Sequence, residues 1–169
     1  MKSRPTNSYR SSNHDMSWTI SLQKPENESL LERYFVAVGK ALCIATNFED
    51  KCYHVLRMHR ITNAIKDGRS EEEVAEISTS FNAPRLYDAI EKLAEDDDVS
   101  SENVELLHDA RGSRNHIAHE AGSMDQVWGV SDDFIFEKLE SLIPHVRRVA
   151  EGENLVSIWT YEMSEREPA

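Results

Sequence analysis

The sequence predicts an all-α fold, a bundle of four to six helices of which the first is long. Three observations support this prediction. Apolar residues recur at steps of three and four along several segments, which is the spacing of one helix face. Serines that can serve as helix N-caps precede three of these segments. The sequence shows neither an internal repeat nor the alternation of strand and helix patterns that predicts a parallel sheet.

The first helix is the longest predicted element. It follows residues 1–24, which have the polar composition of a disordered tail, and it extends past Val55 to Ile61 and Ile65. Asp67-Gly68 is expected to end it, because glycine commonly follows the last helical residue. Its apolar stripe comprises Leu31, Phe35, Val38, Leu42, Ala45, Phe48, Cys52 and Val55.

Two shorter helices are predicted to follow. The segment Ser70–Glu73 forms a capping box at the start of one of them, and the other spans Ala83–Ala94. The acidic run Asp96–Asp98 is expected to form a turn, after which Ser100 or Ser101 caps the next helix.

The next helix carries an arginine- and histidine-rich segment and is expected to end at Gly122-Ser123. Ser131 then caps a long last helix, and the apolar segment Leu155–Met163 follows as a short strand or a last helical turn. The predicted organisation is a single helical domain over residues 25–163 with a C-terminal tail at 164–169.

The charge distribution narrows the surfaces that could contact nucleic acid. The 169-residue chain has a net charge of −12 and a pI near 5.0, which argues against broad, non-specific binding of nucleic acid. Any RNA contact is therefore expected within a small basic subset: Lys51, Arg57, Arg60, Lys66, Arg69, Arg111, Arg114, Arg147 and Arg148.

Cysteine usage and hydropathy predict a cytoplasmic protein. Cys43 and Cys52 lie nine positions apart in a predicted helix, which is too far for a disulfide, and their use fits a reducing compartment. The first residues lack the apolar core of a signal peptide. No apolar run approaches the length of a membrane span.

The segment Arg114–Glu120 is the strongest candidate for a functional site. Arg114 and His119 stand five positions apart, and Asn115 follows the arginine. Arginine holds a phosphate in a planar, permanently charged fork, and histidine transfers protons near neutral pH. Together they can cleave a phosphodiester without a metal. The alternative is a solvated helix C-terminus, where both residue types interact favourably with the helix dipole.

The spacing of arginine and histidine is by itself a weak signal. Twelve arginines and seven histidines are expected to give about 0.5 Arg-x4-His pairs by coincidence, and the chain contains two. These pairs are Arg111 with His116 and Arg114 with His119. The asparagine after Arg114 favours the second pair.

Helix geometry predicts that Arg114 and His119 cannot form a complete site if they lie on one regular helix. Five residues of an ideal helix rotate by about 140° and rise by about 7.5 Å, so Arg114 and His119 would not share a face. They can meet at one phosphate if the helix is distorted near Gly112, or if a second subunit contributes. A symmetric homodimer would bring two such sets together across its axis.

Residues 107–120 resemble a signature of the HEPN family (higher eukaryotes and prokaryotes nucleotide-binding). This signature, R-x4-6-H, has a polar residue directly after the arginine, and Arg114, Asn115 and His119 match it. In helix order the resemblance covers residues 27–150. It implies a four- to five-helix bundle that commonly dimerises. Many members are metal-independent endoribonucleases of toxin–antitoxin, abortive-infection or CRISPR systems, and others bind nucleotides or partners without catalysis.

The resemblance also implies roles for the site residues and for partners. Arg114 would hold the scissile phosphate, His119 would act as general acid or base while the RNA 2′-hydroxyl attacks, and Asn115 would orient one of them. An RNA substrate, a homodimer and an antitoxin or regulatory protein are implied. Members paired with nucleotidyltransferase antitoxins often carry a tyrosine two positions after the histidine. Ala121 stands there in this chain, which implies a partner of another kind.

Four further residues are weaker candidates. His116 and Arg111 could assist at the site, although a solvent-facing position is the favoured interpretation for His116. Arg57 and Arg60 could line an RNA groove or belong to a solvated polar face. No cofactor or metal is predicted, because the sequence has no Gly-rich phosphate loop and no ligand-spaced set of His, Cys and carboxylates. The alternative function is a catalytically inactive HEPN-like helical module for protein or nucleotide binding.

Overall fold

Five α-helices and one short π-helix make up the fold in a computed structural model that describes residues 28–95, 99–121 and 131–165. These residues contain no strand, so the predicted all-α fold with a long first helix is confirmed. The predicted tail 1–24, the turn Asp96–Asp98 and the helix end at Gly122-Ser123 lie outside the described residues. The elements are α1 (Glu28–Lys66), α2 (Glu71–Thr79), α3 (Leu86–Ala94), α4 (Ser101–His116), the π-helical segment (Ile117–Ala121) and α5 (Asp132–Glu165).

One side of α1 is buried, in a register that differs from the predicted stripe at two points. Phe35 and Leu42 are 45% and 39% exposed, and Tyr34 and Ala41 are buried in their place. From Leu31 to Val55 the buried positions alternate between steps of three and four, the repeat that keeps a helix seam facing its partners. Phe35 directly follows the buried Tyr34, and Leu42 directly follows the buried Ala41, so each lies one position further round the helix than a buried residue. The seam comprises Leu31, Tyr34, Val38, Ala41, Ala45, Phe48, Cys52 and Val55.

The serine caps occur where the sequence predicts them. Ser70 Oγ accepts a hydrogen bond from Glu73 N at 3.3 Å, and Glu73 Oε2 accepts one from Ser70 N at 2.9 Å, which completes the capping box. Ser100 Oγ caps α4 and Ser131 Oγ caps α5, each accepting from the backbone N–H three residues on at 3.2 and 3.3 Å. Local hydrogen-bonding chemistry thus fixes the start of three helices.

One helix boundary differs from the predicted one. Helix α3 begins at Leu86 rather than Ala83, because Ala83 precedes Pro84 and is disfavoured in helical geometry, while Arg85 has an extended ψ of 147°. Of the two alternatives for Leu155–Met163, a short strand or a last helical turn, the helical one is confirmed, because the segment is part of α5, which continues to Glu165.

A close contact between helices surrounds Gly152 of α5. A Cβ atom built on Gly152 would lie 2.5 Å from Cβ of Ala110 and 2.9 Å from Cε2 of Phe48. Only glycine leaves room for α1 and α4 to approach α5 at this point. Ala110 lies beside Gly152, and Ser113 lies beside His145, so α4 and α5 run antiparallel. None of the helices in the described part of the chain has the length and apolar composition needed to cross a membrane.

The two cysteines occupy opposite environments on α1. Cys43 is exposed, whereas Cys52 is fully buried. Burial, reinforced by the charge of Glu49, raises the pKa of the Cys52 thiol to about 12, so almost none of the reactive thiolate forms near pH 8.

We expect one thiol of the native protein to react rapidly with Ellman's reagent at pH 8, and two to react in urea. The Cys43→Ser variant should have no rapidly reacting thiol until it is unfolded. Rapid labelling of Cys52 in the folded variant would contradict its buried position.

Candidate functional site

The last turn of α4 directs Arg114 toward α1. Its Nη2 forms an ion pair with Glu49 Oε2, and its Nη1 donates a hydrogen bond to Asn115 Oδ1 at 3.2 Å. The side chains of Arg114 and Glu49 are 26% and 21% exposed, so the pair is largely shielded from water. Arg114 and Asn115 are therefore in contact, but a carboxylate occupies the guanidinium edge that a phosphate would use.

Glu49 is held from its other side by Tyr53. The Tyr53 hydroxyl donates to Glu49 Oε1 at 3.0 Å, one helical turn further along α1. Burial, together with the hydrogen bond and charge of Glu49, raises the pKa of Tyr53 to about 12. The phenol therefore remains a neutral donor, and both oxygens of Glu49 have fixed partners.

A second polar group lies between α4 and α5. The rings of His116 and His145 stack with their centroids 3.8 Å apart and their planes 19° from parallel. His145 Nδ1 lies 3.3 Å from Oγ of Ser113, which is buried. His116 is thus half-buried against α5 rather than directed to solvent.

The helix that carries the candidate site is distorted, but not at Gly112. Helix α4 is regular through Gly112 to His116, and the π-helical segment Ile117–Ala121 follows. Its i→i+5 hydrogen bonds widen the turn, so residues five apart come closer to one full turn than in an α-helix. Ile117 anchors the segment in the core, and His119 is exposed.

The remaining candidates lie on other faces. The Arg111 guanidinium covers the Tyr87 ring of α3 at 5.2 Å, and Arg60 covers Phe81 at 5.4 Å. Arg57 Nη2 donates to Ser78 Oγ of α2 at 2.9 Å. From Glu49, α1 rises about 12 Å to Arg57 and about 16 Å to Arg60, so neither arginine is brought together with Arg114. Within the described ranges, no three His, Cys, Asp or Glu residues are grouped so that they could hold a metal.

Sequence reasoning did not identify four residues of this region: Glu49, Tyr53, Ser113 and His145. Glu49 and Tyr53 have the i, i+4 spacing of helix neighbours, which could have paired them with each other. Nothing in the sequence pairs Glu49 with Arg114, because the two are 65 positions apart. The contact of His145 with α4 likewise depends on how α5 packs.

Comparisons with known proteins add no relative. No protein-family model matches this chain, and neither the curated proteins nor the solved structures give a significant match.

The Glu49–Arg114 pair should contribute measurably to stability. We expect Glu49→Gln to lower the free energy of unfolding by about 1–2 kcal/mol, between the values typical of exposed and fully buried pairs. Urea unfolding of Glu49→Gln, Arg114→Gln and the double variant measures the coupling energy. The more exposed Lys51–Glu153 pair, at 2.8 Å, is the matched control. Additive effects at 49 and 114 would show that the contact has no energetic role.

Proposed function

We propose that the chain is a metal-independent endoribonuclease of the HEPN type, acting in the cytoplasm as a toxin or antiviral-defence effector. The observation that carries this proposal is the exposed His119 on a π-helical segment that begins two residues after Arg114-Asn115. Helices of this kind frequently lie at functional sites. A proton-transferring group and a phosphate-binding group are thus presented by the same end of α4.

The proposed reaction needs no cofactor. Arg114 binds the non-bridging oxygens of the scissile phosphate and stabilises the charge that develops there. The RNA 2′-hydroxyl loses its proton and attacks phosphorus, the bond to the 5′-oxygen breaks, and that oxygen gains a proton. His119 provides one of the two proton transfers. The products are a 2′,3′-cyclic phosphate and a 5′-hydroxyl end.

A homodimer accounts for the orientation of the two groups. Arg114 faces Glu49 inside the bundle, whereas His119 is exposed. In a symmetric pair, Arg114 of one subunit would meet His119 of the other. An antitoxin or another regulatory protein would bind over the same exposed surface and block the RNA.

The direct test is cleavage of RNA by the purified protein in EDTA. We expect 2′,3′-cyclic phosphate ends from the wild type and none from Arg114→Ala. Cleavage that requires a divalent metal, or that survives in Arg114→Ala, would refute the proposal.

Mixing inactive variants tests the dimeric site separately. In random mixed dimers of Arg114→Ala and His119→Ala, one site of each heterodimer would be intact. Activity should therefore return to about a quarter of the wild-type value. If the mixed dimers recover no activity, the Arg114 and His119 that form each site belong to the same subunit.

A non-enzymatic helical module for protein or nucleotide binding is the second candidate. The Glu49–Arg114 ion pair favours it, because this pair gives Arg114 a structural task that joins α4 to α1. Growth of cells that express the protein distinguishes the two. An enzyme of this kind should arrest growth unless His119 is replaced, whereas a binding module should be harmless in both forms.

A further inference from the structure

A separate cleft lies where the end of α1 meets α2. It has a volume of about 300 Å³, and its lining includes Arg60, Asn63, Asp67, Arg69, Ser80 and Phe81. A cavity of this size is at the lower limit for small-molecule sites. It can hold a phosphate and one attached sugar.

The fold supports the guanidinium of Arg60 and fixes the backbone of Arg69. Phe81 supports Arg60 through the cation–π contact at 5.4 Å. Gly68 has a φ of 71° and ends α1 in a Schellman turn, in which Gly68 N donates to Ile65 O at 3.0 Å and Arg69 N to Ala64 O at 3.1 Å. This turn brings Arg69 back to the same cleft as Arg60.

The positive charge of the cleft is only partly offset by carboxylates among the described residues. Neither Arg60 nor Arg69 forms an ion pair with the residues that the structure describes, in contrast to Arg114 and Lys51. Glu73 of α2 is held in the capping box by Ser70. The hydrogen bonds of Ser70 lower the pKa of Glu73, and the charge of Arg69 contributes to the same effect, so Arg69 has one attractive carboxylate nearby without forming an ion pair. Among the described residues, Asp67 is the only acidic one in the lining, against two arginines. Two guanidiniums without an ion pair, in a cleft whose described lining has one carboxylate, form a binding environment for an anion.

We propose that this cleft binds a phosphate ester, with Arg60 and Arg69 on the phosphate and Asp67 accepting a hydrogen bond from a hydroxyl of the attached sugar. The ester is either a small sugar phosphate or a backbone phosphate of RNA. The site is distinct from Arg114 and does not depend on cleavage activity.

Titration of the full-length protein with inorganic phosphate and with ribose 5-phosphate, followed by backbone amide NMR shifts, tests the site. We expect saturable shifts at residues 60–69 and 77–81, with tighter binding of ribose 5-phosphate. Arg60→Gln and Arg69→Gln should each weaken binding by about tenfold or more. Asp67→Asn should remove the preference for the sugar phosphate over inorganic phosphate.

Arg33→Gln is the matched control, because it removes an equal charge from an exposed position near the start of α1. Binding should change less than about twofold in this variant. Thermal unfolding verifies that each variant is folded, and Arg69 is an exposed residue whose replacement leaves the core intact. An equal loss in Arg33→Gln, or no saturation up to about 10 mM ligand, would overturn the proposal.

A short single-stranded RNA identifies the source of the phosphate. Displacement of ribose 5-phosphate by the RNA, with shifts at the same amides, supports the site and assigns it to the RNA backbone. Binding of ribose 5-phosphate without competition from the RNA supports the site and assigns it to a free metabolite.

Discussion

Replacing His119 by alanine should lower RNA cleavage by about 10²- to 10⁴-fold, the usual contribution of a general acid or base. His119 is exposed at the end of α4, so its loss should leave the fold and the melting temperature unchanged. The measurement is the single-turnover rate on a defined RNA in EDTA. Added imidazole should restore part of the rate, because it can carry the same proton from solution.

The control for this prediction is His54→Ala, which removes an exposed histidine from α1. It should cleave RNA at the wild-type rate. Equal losses in the two variants would indicate a general effect of surface histidines on RNA binding. An unchanged rate in His119→Ala would exclude His119 from the chemistry.

The variant Gly152→Ala should be destabilised by about 1–3 kcal/mol, the cost of overfilling a packed core. The added methyl group would lie 2.5 Å from Cβ of Ala110 and 2.9 Å from Cε2 of Phe48, and both neighbours are fully buried. Neither can move without disturbing a second helix. Urea unfolding with an unchanged m-value would measure the loss.

Gly39→Ala is the matched control for Gly152→Ala. Gly39 also lies inside a helix, but its added Cβ would meet nothing within 4 Å. It should therefore gain up to about 1 kcal/mol from reduced freedom of the unfolded chain. Adding Ala110→Gly to Gly152→Ala should recover part of the lost stability, because it removes the closer clash. A loss of stability in Gly39→Ala, or none in Gly152→Ala, would contradict this account.

Features set by neighbouring residues were predictable from the sequence. Ser70, Ser100 and Ser131 cap helices through bonds to residues three positions away, and all three caps are confirmed. The long α1 is evident from its repeating apolar residues. The choice of Tyr34 over Phe35 for the core was not predictable, because it depends on where the partner helices lie.

The candidate site was predictable only in part, for the same reason. The sequence shows Arg114, Asn115 and His119, but not the carboxylate of Glu49 that meets the arginine from another helix. Of the two alternatives for completing the site, a distortion near Gly112 does not occur; the distortion lies after the end of α4, in a π-helical segment that contains neither glycine nor proline. Such a segment depends on tertiary packing around Ile117 rather than on a local sequence signal.

The Glu49–Arg114 pair has a consequence for selectivity among anions. An anion can bind Arg114 fully only when the contact between Arg114 and Glu49 is broken. The favourable free energy of binding of that anion, and with it the apparent affinity, is therefore reduced by the coupling energy of the ion pair. A coupling of about 1–2 kcal/mol corresponds to a five- to thirtyfold reduction. Chloride and other weakly held ions would then leave the pair intact, whereas a polyanion with several simultaneous contacts could displace the carboxylate. Glu49 would thus compete with every anion for Arg114, and only an anion that binds the arginine more strongly than Glu49 does would displace the carboxylate.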